Sequence, residues 1–203
     1  MRKTFGFLVA MSIIASPVFA SSIVVPGTSD LWLAGTAAGT VASGLTPGSL
    51  GVDVAPLHAP VAVFLNVGQS YEFFASGCVS NDPTIFPCYG PDGGPWLGDP
   101  TVHHFALAEN GIDDFNAPLN SLIGLWAGSS TPFFVGSHWS FVAPTSLLYL
   151  GTMDGWGWLN NWGAFLIEWD GGDNREIPET PEPATLMLIG AGLFALARMR
   201  RRT

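Results

Sequence analysis

The sequence predicts an all-β domain, an antiparallel β-sandwich, carried between two terminal segments that stand outside the fold. Three observations predict it. The body is a series of short apolar or alternating runs, rich in β-branched and aromatic residues and separated by Gly/Pro/Asn/Asp clusters. None of its segments keeps an apolar stripe at helical spacing over three turns. Pro91, Pro95, Pro100, Pro118, Pro132 and Pro144 interrupt it too often for long helices. Many short strands with turn signals between them pack as two antiparallel layers.

The chain begins "MRKTFGFLVAMSIIASPVFA". Arg2 and Lys3, an apolar run over residues 5–15 and a small-residue site after Ala20 make residues 1–20 a secretory signal peptide. Residues 21–170 form the predicted domain. Its strand candidates are "VAVFLN" (61–66), "SYEFFAS" (70–76), "VHHFALA" (102–108), "SLIGLWA" (121–127), "SLLYLGT" (146–152) and "GAFLIEW" (163–169). A short helix is expected near residues 116–124, and Trp162 and Trp169 are expected to be structural. Residues 171–180 read as a linker. From 181 the chain runs through Pro181-Glu182-Pro183, an apolar stretch over 184–197 and an Arg-rich tail. Fourteen residues of helix rise about 21 Å, short of a bilayer core of about 30 Å. Such a stretch makes a marginal transmembrane helix, held with its basic tail on the cytoplasmic side.

Charge excludes one class of partner. Of the seven basic residues, six lie at the termini, and Arg175 is the seventh. An acidic body without cationic side chains repels phosphate backbones, so no nucleic-acid partner is expected. The same field concentrates cations. Cys78 and Cys88, ten residues apart in an exported chain, are expected to form a disulfide.

Catalytic signatures are missing. The sequence has no Gly-x-Ser-x-Gly elbow, no P-loop and no His-Glu-x-x-His helix. His103 and His104 are adjacent and point to opposite faces of a strand, while His58 and His138 stand alone. Glu72 and Glu168 fall in predicted strands, where outward-facing positions account for them. The expectation is a protein that binds rather than an enzyme. The segment that concentrates polar chemistry is "DGWGWLNN", residues 154–161. Asp154, Asn160 and Asn161 offer hard oxygen donors of the kind Ca²⁺ prefers. Asp-Gly and Asn-Asn are equally good turn formers between two strands. An EF-hand is excluded because its twelfth position is Phe165.

Two resemblances extend this reading. "LLYLGTMDGWGWLNNWGAFLIEW" resembles the last strand-loop-strand of the small calcium-dependent bacterial galactose-binding lectins. "SYEFFASGCVSNDP", "SLIGLWAGSS" and "SHWSFVAP" resemble that family's preceding strands, so the likeness spans about residues 68–170. It implies a lectin-like sandwich in which Asp154, Asn160 and Asn161 bind calcium through side chains. Asn81 and Gly157 then correspond to backbone-carbonyl ligands. The interval from aspartate to asparagine is one residue shorter than the family's. Its sugar-contacting histidine has no counterpart in "YGPDGGPWLGDP", where Asp92 and Trp96 are the candidate substitutes. Trp156 and Trp158 are the candidate stacking partners for a pyranose.

The order Pro-Glu-Pro, short apolar helix, Arg cluster resembles the PEP-CTERM sorting signal. It implies recognition by an exosortase, transient residence of 184–197 in the inner membrane, and delivery to the surface or exopolysaccharide matrix of a Gram-negative bacterium. Carbohydrate, or exopolysaccharide, is then the expected ligand. The alternative is a structural matrix protein that keeps the scaffold without a defined sugar.

Overall fold

The computed structural model describes residues 21–42, 53–84, 87–103, 109–155 and 157–171. The expected signal peptide and linker, the Pro181-Glu182-Pro183 segment and the 184–197 run lie outside the described residues, as does Trp156. No helix among the described residues is long and apolar enough to cross a membrane.

In chain order the strands are β1 (Ser21–Pro26), β2 (Val41–Ala42), β3 (Asp53–Val54), β4 (Val61–Phe64), β5 (Ser70–Ser80) and β6 (Val102–His103). Then come β7 (Asn116–Ala117), β8 (Leu122–Trp126), β9 (Phe133–Phe134), β10 (His138–Val142), β11 (Leu147–Thr152) and β12 (Trp162–Gly171). Short 3₁₀ turns at Leu31–Leu33, Glu109–Gly111 and Trp158–Asn160 are the helical elements among these residues. One antiparallel sheet has the order β1-β12-β5-β10 and the other β4-β11-β8-β9. The expected sandwich is therefore present.

Alternation builds the core. β5 sends Tyr71 and Phe73 inward and β12 sends Phe165 and Ile167, against Val63, Leu122, Leu148 and Leu150 of the facing sheet. Each such aliphatic or aromatic side chain, fully buried, contributes roughly 1.5–3 kcal/mol. An aromatic group of Phe73, Trp126, Phe133, Trp139, Phe141 and Trp169 continues this core. Its closest pair, Trp139 and Phe141, has ring centroids 3.9 Å apart. Trp169 is thus structural, as expected. Trp162 is not. It lies an odd seven positions from Trp169, so the two-residue repeat of a strand places it on the opposite face, where it is 65% exposed.

A second apolar cluster lies on the other face of the β4-β11-β8-β9 sheet. Leu31, Trp32, Leu119, Met153 and Trp158 pack there against Ile123 and Leu125. β8 is thereby buried on both faces, which explains why "SLIGLWA" reads as a continuous apolar run and not as an alternation. It also explains why the expected helix over 116–124 is absent. β7, a turn and the start of β8 occupy that stretch. Pro118 has no N–H to give a helix, and Asn120 has a left-handed φ of 57°. The other strand candidates fall within one or two residues of β4, β8, β11 and β12, while β5 runs four residues further than expected. In "VHHFALA" β6 covers Val102–His103, and residues 104–108 lie outside the described residues.

The disulfide Cys78–Cys88 is formed, closing the loop that leaves β5. The long β5–β12 pairing requires glycine at close approaches. Gly163 has φ of 89°, and a Cβ there would strike the Cys78 carbonyl oxygen of the partner strand. We expect Gly163→Ala to lower stability by about 2–4 kcal/mol, because strained backbone and overlap with a fixed carbonyl act together. Urea denaturation should show a lower midpoint with an unchanged slope; an unshifted midpoint would contradict this account.

Candidate functional site

The ends of β1, β5 and β11 and the starts of β8 and β12 meet at one end of the sandwich. The loop between β11 and β12 crosses this end. The Asn-Asn pair forms no tight hairpin: Trp158–Asn160 is a turn of 3₁₀ helix entered through Gly157 in a left-handed conformation (φ 75°, ψ 52°). The Gly157 carbonyl accepts the Asn160 N–H (3.2 Å), and the Trp158 carbonyl accepts the Asn161 N–H (3.0 Å).

Neighbouring segments hold the loop in place. Met153 N–H donates to the Ser121 carbonyl (2.8 Å) and Asn120 N–H to the Met153 carbonyl (2.7 Å). Asn120 Nδ2 donates to the Val79 carbonyl (3.3 Å), tying this turn to β5 as well. Asn161 Nδ2 and Thr152 Oγ1 both donate to the Gly27 carbonyl, at 2.9 and 2.7 Å. The Trp158 indole N–H donates to the Thr152 carbonyl (2.7 Å), and its backbone N–H to Asp53 Oδ2 (3.0 Å). Trp158 is 1% exposed and packs on Trp32, with ring centroids 5.5 Å apart. That corrects its expected role: an indole enclosed in the core has no face to offer a sugar, and it serves as the anchor of the loop.

The structure brings Asp154, Asn160, Asn161 and Asn81 to this one end. The β5–β12 register finishes at Ser80↔Trp162, so Asn81 and Asn161 follow directly from paired positions. Asp154 Oδ1 accepts the Gly155 N–H at 2.6 Å. The side-chain oxygens of Asn81, Asn160 and Asn161 are buried and receive no hydrogen bond. For Asn161 the amide orientation follows from its Nδ2 bond to Gly27, which leaves Oδ1 as the orphan. Each buried carbonyl oxygen left without a donor costs about 1–3 kcal/mol. Three on adjoining segments make a site suited to a cation. Among the described residues no three His, Cys, Asp or Glu side chains are grouped to hold a metal by themselves. A cation at this end would therefore need amide and backbone oxygens beside the Asp154 carboxylate, hard donors of the kind that suit calcium.

Asp92 and Trp96 are placed elsewhere in the bonding scheme. Asp92 Oδ1 accepts the Ser137 N–H (2.8 Å), and Trp96 packs against the second apolar cluster while pairing with Asp99 through the backbone. Glu72 faces outward, with Oε1 2.7 Å from His138 Nε2.

The residues that sequence reasoning missed come from the segment between β1 and β4. Asp30 is fully buried, its Oδ1 accepting the Trp32 N–H (2.8 Å) and its Oδ2 lacking a donor. Burial pushes its carboxyl well above the usual range of 3.8, and the charges of Asp53, Glu109 and Asp154 push it further; the Trp32 N–H opposes them. Asp53 is also raised by burial, against the pull of His58 and the Trp158 and Leu159 N–H groups. No apolar periodicity marks these acids. Asp30 in "TSDLWL" carries one sequence signal, that of an N-cap.

The described residues thus form an all-β sandwich with an oxygen-rich end, and the sequence beyond them carries a Pro-Glu-Pro, apolar and basic segment. Residues 179–202 match the PEP-CTERM protein-sorting motif, with Pro181-Glu182-Pro183 inside the match. That motif implies export and exosortase processing in a Gram-negative bacterium. Seven solved chains match. One is an EclA N-terminal domain, a PllA-like lectin, at 20% identity and a TM-score of 0.40, covering 75% of this chain and 94% of that one. No curated protein matches the sequence.

The two raised carboxyls predict a pH dependence. A raised acid is protonated more readily in the folded state, so its burial is harmless below the unfolded value and costs stability as pH rises above it. In chelator-treated buffer, stability should fall from about pH 4 toward neutrality. Asp30→Asn keeps an oxygen for the Trp32 N–H and should flatten that fall. Urea midpoints across pH measure it, and a slope equal to the parent's would refute the assignment to Asp30.

Proposed function

We propose that the exported domain holds calcium at this end of the sandwich and binds carbohydrate there, at the cell surface or in the exopolysaccharide matrix. The observation that carries this reading is the pair of donorless amide oxygens on Asn160 and Asn161, beside Asp154. Asp154, Asn160 and Asn161 would hold the ion through side chains, with Asn81 and Gly157 supplying carbonyl oxygens. Calcium supplies open coordination positions that two vicinal sugar hydroxyls can fill. The chain's own part is to hold these oxygens still. Asp53 fixes the turn through the Trp158 N–H, the buried indole prevents the loop from lifting, and Gly27 orients the Asn161 amide. The resemblance to small calcium-dependent lectins supports the same assignment. The domain binds and does not cleave, and the tail engages exosortase at Pro181-Glu182-Pro183 with 184–197 passing through the inner membrane.

One observation favours the matrix-scaffold alternative: burial of Trp158 withdraws it from sugar contact. Calorimetry separates the readings. Calcium should bind the purified protein and, at about 100 times Kd, add about 2.7 kcal/mol of stability. Asp154→Asn and Asn160→Ala should each weaken calcium by about tenfold or more. Absence of calcium heat from the parent protein would sink the metal-dependent reading. Glycan binding that disappears with chelator supports the lectin, calcium binding without any glycan supports the scaffold, and turnover of exopolysaccharide would reassign the protein as an enzyme.

A further inference from the structure

Among the described tryptophans, Trp162 is the exposed one. Trp162 is the first residue of β12, next to Asn161 and opposite Ser80, and it is 65% exposed. It lines a recess of about 270 Å³ together with Ser80, Pro83, Pro87, Cys88 and Gly163. We infer that this recess is the ring-binding subsite of the proposed carbohydrate site, in which Trp162 stacks on the C–H face of one neutral pyranose. The inference rests on the carbohydrate reading given above and names a residue and a sugar class for it.

Chemistry and rigidity both point this way. A pyranose presents an apolar C–H face and a hydroxyl rim, and the exposed indole of Trp162, one residue along the chain from Asn161, matches the first of these. Among the described residues the opposing wall includes Pro83, Pro87 and the disulfide-bonded Cys88, groups with few rotamers to lose on binding. Gly163 adds no side chain, so the approach along the strand stays open. The volume falls below the roughly 300–1,000 Å³ typical of drug-sized pockets, so it accepts one ring with the rest of a chain outside.

Charge selects among sugars. Residues 21–171 contain no Lys or Arg, while Asp82 stands beside Pro83 at the recess and Asp154 on the adjoining loop. Apart from the calcium ion itself, no Lys or Arg of this domain can compensate a uronate or sulfate group in the recess, so neutral hexopyranoses are preferred over acidic ones there.

The test uses the purified protein with saturating calcium and the methyl glycosides of galactose, glucose and mannose, with methyl galacturonic acid as the acidic probe. Binding is read by calorimetry and by quenching of tryptophan emission. At least one neutral glycoside should bind, and the acidic probe should bind at least tenfold more weakly. Trp162→Ala should weaken the neutral sugar tenfold or more, Trp162→Phe should restore most of the loss, and calcium affinity should stay within twofold in both. Sugar binding unchanged in Trp162→Ala overturns this inference and leaves the carbohydrate reading standing. A calcium-loaded parent protein that binds none of the neutral glycosides overturns both. A Trp162→Ala variant with unchanged sugar affinity but altered sedimentation assigns the exposed indole to a protein contact instead.

Discussion

The pairing of β5 with β12, from Tyr71↔Gly171 to Ser80↔Trp162, is the constraint on which the rest of this structure depends. It is the longest ladder among the described strands, and both strands are central in their sheet. Its register decides which side chains enter the core, because a slip of one residue would exchange Phe165 and Ile167 for Leu166 and Glu168. The same register places Asn81 beside Asn161. Core and candidate site are consequences of one alignment, so neither can shift without the other.

The end of the sandwich where the site lies is expensive in isolation. It buries Asp30, Asp53, Glu109 and Asp154 with no Lys or Arg among residues 21–171 to balance them, and it leaves amide oxygens without donors. Free energy lost there is offset by the two apolar clusters, and above all by the one that encloses Trp32 and Trp158. That cluster gives the chain between β1 and β4 a reason to exist. Its 3₁₀ turn covers the outer face of β8, and β3 supplies the carboxylate that receives the Trp158 N–H. A bound divalent cation would relieve charge and orphan oxygens together, which is why these features are read jointly.

Much of the fold was legible in residue order. Runs of strand length, proline spacing and turn clusters located β4, β8, β11 and β12 closely, and the exported setting of Cys78 and Cys88 pointed to their disulfide. The stretch 116–124 misled because a strand covered on both faces loses its two-residue signature. Trp162 misled for a different reason. Composition says that a tryptophan prefers burial, whereas parity along β12 says which face it occupies, and parity prevailed. Asp30 and Asp53 were invisible because their importance comes from what folds over them, not from local pattern.

By itself, the sequence pointed to the address and the class: an expected signal peptide, a PEP-CTERM motif, a β-sandwich, and a polar loop over residues 154–161. These are local properties, encoded by hydropathy, charge order and short motifs that need no partner elsewhere in the chain. Tertiary structure alone decided that Trp158 is an anchor, that Trp162 faces solvent, and that Asn81, Asn120 and Asp53 gather around the loop. Those outcomes depend on contacts between residues far apart in the chain, such as Asp53 with Trp158, 105 positions apart, and Gly27 with Asn161, 134 positions apart. Strand register and layer packing bring such residues together, and no single window of sequence contains that information.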